Sequence, residues 1–186
     1  MRRSRAPRTA GQPAAADHAR CFAPILGPAP RLLILGSLPG RASLAADEYY
    51  AHPRNLFWDL MGDLVGAGRS LPYARRTAVL RERGIALWDV IAEARRPGSL
   101  DASIDAASVR HNDIAALLAS EPTLRAVAFN GAAARTLFRR HVAPRLDAAA
   151  SGVGLLALPS TSPAHASLRP EAKRAAWRGI LDYVGG

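Results

Sequence analysis

A parallel α/β sheet covered by helices on both faces is the fold this sequence predicts. Short apolar runs of four to six residues recur at Leu32–Leu35, Ile85–Trp88, Leu124–Phe129 and Val153–Leu158. Segments with helical spacing separate them. The runs are near-continuous rather than alternating, as expected of strands buried on both faces. The expected count is four strands, with no internal repeat and no second domain.

The elements follow in order. Residues 1–20 hold Arg, Ala, Pro and Gly without an apolar period and read as a disordered basic arm, leaving 21–186 as one domain. Strand one, at about 31–36, runs into the turn Gly36-Ser37-Leu38-Pro39-Gly40. A polar-aromatic loop ends in Tyr49-Tyr50-Ala51-His52-Pro53-Arg54-Asn55. A helix is expected from Pro53, because proline suits a first helical turn. Leu71–Arg83 predicts a second helix, stopped by Gly84, and Ile85–Trp88 a strand leading into Asp89. Residues 95–111 read as loop, and Asn112 or Asp113 caps a helix through Leu118. The strand at 124–129 stops at Asn130-Gly131 before a helix over 132–141. The last strand, 153–158, ends in Pro159-Ser160-Thr161-Ser162-Pro163, and a final helix covers about Pro170–Tyr183.

Composition narrows the function. The 186 residues suffice for one domain with a real core. No apolar run approaches the roughly 20 residues that cross a bilayer, so no membrane association is expected. The basic N-terminus lacks an apolar continuation, so a secretory signal is not expected. The single cysteine, Cys21, excludes an internal disulfide framework and a Cys-based zinc site, and a reducing, cytoplasmic setting is expected. Lys and Arg number 25 against 15 Asp and Glu, for a net charge of +10, which suits a polyanionic partner. All but one of these cations are arginine, whose planar fork matches phosphate; the exception is Lys173.

Each predicted strand ends in a polar cluster: Ser37, Asp89, Asn130 and Ser160-Thr161-Ser162. In a parallel sheet these ends share one edge and can converge on one crevice. The Ser160–Ser162 hydroxyls suit either a phosphate or an ordinary helix cap. His165 is either a structural hydrogen-bonder or a phosphate contact. Asn130 can read a base edge, or simply form a turn with Gly131. Tyr49, Tyr50 and His52 offer flat faces for stacking on a base, one tyrosine being expected in the core. The G-x-x-x-x-G-K-[ST] phosphate loop and the G-x-S-x-G elbow are both absent. The five histidines are scattered without metal-ligand spacing, so no metal site is expected.

Several motifs together resemble the hypoxanthine-DNA glycosylase family, the deoxyinosine-specific branch of the uracil-DNA glycosylase superfamily. They are GSLPG (Gly36–Gly40) with Ser43-Leu44 beyond it, YYAHPRNLFW (Tyr49–Trp58), LWDV (Leu87–Val90), RPGSLDASI (Arg96–Ile104), FNG (Phe129–Gly131) and LPSTSPA (Leu158–Ala164). The likeness covers about residues 28 to 184. It implies a three-layer α/β/α fold with a four-stranded parallel sheet. It implies hydrolysis of the N-glycosidic bond of a deaminated base flipped out of DNA, leaving an abasic site, by a monomer without cofactor or metal that works in the nucleoid. Where several branches carry a water-activating Asp, Asn or Glu, this chain has Ser37, so the resemblance moves the catalytic role to Asn55. The final motif begins Leu158-Pro159-Ser160 where histidine is common, so that histidine's role is absent or falls to His165.

The expected base-binding set is Ser37, Leu38, Tyr50, His52 and Asn130. The expected phosphate set is Ser160, Thr161, Ser162 and His165. Lys173 is expected away from the strand ends. Glycosylases that also cut the strand form a Schiff base through an amine, so a monofunctional enzyme is expected. Asp89 and Asp101 are each either a helix cap or a carboxylate close to the sugar. Two competing readings are a uracil- or mismatch-directed glycosylase of the same superfamily and a non-catalytic nucleic-acid-binding module.

Overall fold

The computed structural model describes residues 17–184, except 99, 148 and 149. The central element is β2 (Leu32–Gly36), all five residues of which are buried. It pairs in parallel with β3 (Ile85–Asp89) on one side and β6 (Ala126–Asn130) on the other. β7 (Gly154–Leu158) pairs in parallel with β6, giving a four-stranded sheet ordered β3-β2-β6-β7. The first of these strands therefore lies between the second and third. The winding reverses between β2 and β6, and a crevice opens beyond their carboxyl ends.

Alternation along each strand divides the core in two. On one face Leu32, Ile34, Ile85, Leu87, Ala126 and Ala128 pack against α2 (Phe57–Val65), α3 (Tyr73–Glu82) and the C-terminal segment carrying Trp177 and Ile180. On the other, Leu33, Leu35, Ala86, Val127 and Phe129 meet Ile114 and Leu118 of α4 (Ile114–Ser120) and Phe138 of α5 (Ala132–His141). Helices cover both faces, so the chain is the expected three-layer α/β/α fold. Asp113 caps α4, its side chain accepting from the Ala116 N–H. No helix among the described residues is long and apolar enough to cross a membrane.

Several details differ from expectation. A second, antiparallel sheet joins β1 (His18–Arg20), β4 (Ile91–Arg95) and β5 (Arg110–His111) in the order β1-β4-β5. Residues 18–20 of the stretch expected as a disordered arm are therefore a strand, and residues 1–16 of it lie outside those described. The stretch expected as loop at 95–111 contributes Arg95, Arg110 and His111 to this sheet. A six-residue helix, α1 (Arg41–Ala46), follows the glycine turn directly. The helix expected from Pro53 begins at Phe57, because Asn55 forms a side-chain turn ahead of it. The final helix divides into α6 (Pro170–Trp177) and α7 (Leu181–Val184).

The small sheet bears on the site. β4 starts just after β3 ends, and the chain bends over the end of β2: Val90 N–H donates to the Gly36 carbonyl and Ile91 N–H to that of Ser37. The glycine turn is thereby tied to both sheets.

Ile34 in the central strand is 0% exposed and Leu155 on the edge strand is 55% exposed. Ile34→Ala is expected to cost about 2–5 kcal/mol in urea denaturation. Leu155→Ala is expected to change stability by no more than about 0.5 kcal/mol.

Candidate active site

Four loops meet at the carboxyl edge of the parallel sheet. The first follows β2. Gly36 stands opposite Asp89 in the ladder, and a Cβ on Gly36 would fall inside contact distance of Asp89 Oδ1 and 3.0 Å from the Tyr50 hydroxyl. The missing side chain lets carboxyl and phenol approach the end of β2 together. Beyond it, Ser37 Oγ donates to Asp101 Oδ2 at 2.8 Å. Leu38 turns its side chain into the small apolar cluster with Ala19, Ile91 and Ala94, so only its backbone faces the loop. Arg96, 2% exposed, holds the turn from behind by donating to the carbonyls of Leu38, Pro39 and Gly98.

The second loop carries the aromatic residues. Tyr49 is the core tyrosine: it is 2% exposed, and its carbonyl accepts from the Trp58 indole. Tyr50 adopts left-handed backbone, φ +55°, and its ring stacks on Phe57 at 4.1 Å and 26°. His52 is half-buried, and its Nδ1 accepts from the Arg54 N–H. Asn55 is buried; its Oδ1 accepts from the Phe57 N–H at 3.0 Å, which fixes the amide at the start of α2. Arg69 clamps this loop, donating to the carbonyls of His52 and Asn55 while pairing with Asp59.

The third and fourth loops are bound to each other. Asn130 Nδ2 donates to Thr161 Oγ1, and the Thr161 N–H donates back to Asn130 Oδ1, both at 2.9 Å. Gly131 has φ +99°, and a Cβ there would lie 2.9 Å from the Ser160 Cβ, so the two loops touch where a side chain would part them. The Thr161 carbonyl then accepts from the Leu56 N–H, joining this pair to the loop of Asn55.

The structure thus brings Ser37, Tyr50, Asn55 and Asn130 to one edge. It sinks Thr161, 1% exposed, beneath that edge, with its hydroxyl spent on Asn130 rather than on the surface where a phosphate was expected. Ser160 and Ser162 remain half-buried, each hydroxyl accepting from the backbone N–H two residues on. His165 is exposed, with its ring beside the Ser167 hydroxyl. Lys173 is nearer than expected: its Nζ donates to the His165 carbonyl, anchoring the loop after β7. Among the described residues no group of three or more His, Cys, Asp or Glu could hold a metal.

Arg69, Arg96 and the buried state of Asp89 escape sequence reading. An arginine among many carries no positional signal. The only pointer to Arg96 is its place at the head of RPGSLDASI.

Asp89 is 3% exposed, and its Oδ2 is buried without a hydrogen-bond partner. Burial, and next the charge of Asp101, push its carboxyl up to about 8, with Arg96 opposing. Burial also raises the Tyr50 phenol, as does Asp89; the facing Asn130 amide opposes this. Arg96 is lowered by its own burial, with Asp101 and Asp89 opposing.

A separate cleft of about 710 Å³ lies at the opposite end of the sheet, lined by Arg31, Arg81, Arg125, Gly84 and Thr123. None of the polar strand ends reaches it.

The chain is similar to known proteins. The family model for the uracil DNA glycosylase superfamily matches residues 23–181. A hypoxanthine DNA glycosylase of Methanosarcina barkeri is 38% identical over 111 residues, 59% of this chain and 69% of that protein. Another, of Methanosarcina acetivorans, is 36% identical over 113 residues, 60% of this chain and 70% of that protein. The solution NMR structure of a candidate uracil DNA glycosylase from Methanosarcina acetivorans superposes with a TM-score of 0.71 at 30% identity, covering 90% of this chain and 98% of the other. The chain belongs to the uracil DNA glycosylase superfamily.

Two measurements check the site's energetics. In a double-mutant cycle, Asn130→Ala and Thr161→Val are each expected to destabilise, with a non-additivity of about 1 kcal/mol or more, because each removes the other's partner. For Asp89, the folded state keeps a proton that the unfolded chain loses near 3.8. Its contribution to stability therefore falls as pH rises from that value to about 8 and is level above. Asp89→Asn is expected to remove that slope from the pH dependence of unfolding.

Proposed function

We propose that this chain is a monofunctional DNA glycosylase that hydrolyses the N-glycosidic bond of deoxyinosine and releases hypoxanthine. The observation that carries the reading is the joining of Asn55, Asn130 and the loop after β7 at the switch point of the sheet, beside a stacked aromatic wall. The relatives described as hypoxanthine DNA glycosylases support the choice of base.

The reaction needs a nucleotide swung out of the duplex, a positioned water and donors to the departing base. Asn55 Oδ1 gives one lone pair to the Phe57 N–H, and its second takes a water. The amide is a weak base, so orientation outweighs proton abstraction. The water oxygen bonds to C1′ as the C1′–N9 bond breaks and its electron pair leaves with the base. The water's proton ends on the released hypoxanthine.

Thr161 holds Asn130 Nδ2 by one hydrogen, leaving the second for the base edge. Backbone N–H groups around Ser37–Leu38 meet the charge that develops on the base. Tyr50, backed by Phe57, and His52 flank the ring. Ser160, Ser162 and His165 take the phosphates on either side, while Thr161 serves Asn130. The substrate is DNA carrying deaminated bases, and the enzyme works as a cytoplasmic monomer in the nucleoid.

The test is incubation with duplexes holding single inosine, uracil or xanthine sites, followed by alkali cleavage. Inosine is expected to be cut fastest, and Asn55→Ala to slow it by about a hundredfold or more. No borohydride-trapped adduct is expected, because Lys173 is held at the His165 carbonyl. Faster cleavage of uracil would replace the substrate. Unchanged activity in Asn55→Ala would remove its assigned role.

A further inference from the structure

The reaction above leaves the buried carboxyl of Asp89 without a task. Asp89 ends β3 against Gly36, at the edge where the four loops meet. Its Oδ1 and the Tyr50 hydroxyl lie within 3.0 Å of one point, the place a Gly36 Cβ would occupy. Asp89 Oδ2 and the Tyr50 hydroxyl are both buried without a hydrogen-bond partner. Tyr50 in turn faces the Asn130 amide, and Asn130 is bonded to Thr161. A polar line therefore crosses the ends of all four parallel strands: Asp89, Tyr50, Asn130, Thr161.

Among the described residues, Asp89 Oδ2 has no cation bonded to it. Arg96 favours the charged form of Asp89 from a distance, while its N–H groups donate to three backbone carbonyls. From the loop after β4, Asp101 brings a second negative charge, bound to Ser37. From the segment after β1, Cys21 faces it, its thiol pushed up chiefly by burial. From the aromatic loop come Tyr49 and Tyr50, both raised by burial and so neutral. From the turn after β5, Asn112 Nδ2 donates to the Asp89 backbone carbonyl and to Cys21 Sγ, leaving the carboxyl unserved. A buried, unpaired carboxylate is costly, whereas a carboxylic acid is a hydrogen-bond donor.

We infer that Asp89 is a positioning residue for base excision: as a neutral acid under Gly36 it lets the Tyr50 hydroxyl lie close to it at the strand ends, beside the Asn130 amide, in the arrangement that receives the base. Loss of its proton places a negative charge beneath the pocket that must take up negative charge on the departing base. Excision is then opposed at the step where the bond breaks. This rests on the glycosylase reading above.

The experiment is the single-turnover excision rate of a duplex with one deoxyinosine, enzyme in excess, from pH 5.5 to 9.5, with full-length wild type and Asp89→Asn. Wild type is expected to lose roughly tenfold or more as pH passes about 8. Asp89→Asn is expected to flatten that fall whatever its absolute rate, because its amide cannot ionise. An alkaline fall of the same size in both proteins overturns the inference and assigns the fall to the substrate or another group. Should Asp89→Asn not fold, ¹³C NMR titration of the wild-type carboxyl decides: ionisation near the pH of the activity loss supports the inference, and ionisation near pH 4 overturns it. Wild type inactive on inosine, uracil and xanthine at every pH overturns the glycosylase reading itself, an outcome distinct from an active enzyme whose pH profile Asp89→Asn leaves unchanged.

Discussion

Gly36 has no side chain, and the candidate site is built on that fact. The central strand is buried on both faces and must end somewhere it can turn. It ends where Asp89 and the Tyr50 hydroxyl occupy the volume of the absent Cβ. Any larger residue would push the carboxyl of β3 and the aromatic loop away from each other. The left-handed backbone of Tyr50 belongs to the same constraint, since it brings the hydroxyl over the strand end while the ring stacks on Phe57. Gly131 repeats the device one strand over, where it lets Ser160 close against the start of α5.

The site's rigidity comes from groups that do not take part in the proposed chemistry. Arg96 and Arg69 each donate to several carbonyls, one behind the glycine turn and one behind the loop of Asn55. Both turn a loop into a fixed wall, because a guanidinium presents several donors in one plane. Lys173 does the same for the loop after β7 at a single carbonyl. With water and base to be held within a few tenths of an ångström, loops alone would be too loose. The small antiparallel sheet adds to this by fastening the turn through Val90 and Ile91.

Much of the framework was legible in the sequence. The four apolar runs, being buried on both faces, mark the four parallel strands directly, and their polar ends mark the crevice. Asn130 stands out because it closes a strand at a turn, whereas Asn55 is marked by the family resemblance of its motif. The second sheet was not legible: β4 reads Ile-Ala-Glu-Ala-Arg and β5 has two residues, so neither carries a clear period. Helix α2 begins at Phe57 rather than Pro53 because the Asn55 side chain takes the first free N–H. Thr161 looked like its serine neighbours, and only the three-dimensional pairing with Asn130 separates it from them. The state of Asp89 depends on a strand neighbour, Gly36, fifty-three positions away, and on Asp101.

A base flipped from DNA is expected to seat between the turn after β2 and Asn130. A crystal structure of the enzyme with a duplex containing one non-cleavable 2′-fluoro-deoxyinosine tests it most directly. Hypoxanthine is expected in the crevice at the carboxyl edge of the sheet, with its edge on Asn130, its ring beside Tyr50 and the flanking phosphates on Ser160 and Ser162. A duplex bound instead across the cleft of Arg31, Arg81 and Arg125, with the base still stacked in the helix, would contradict it.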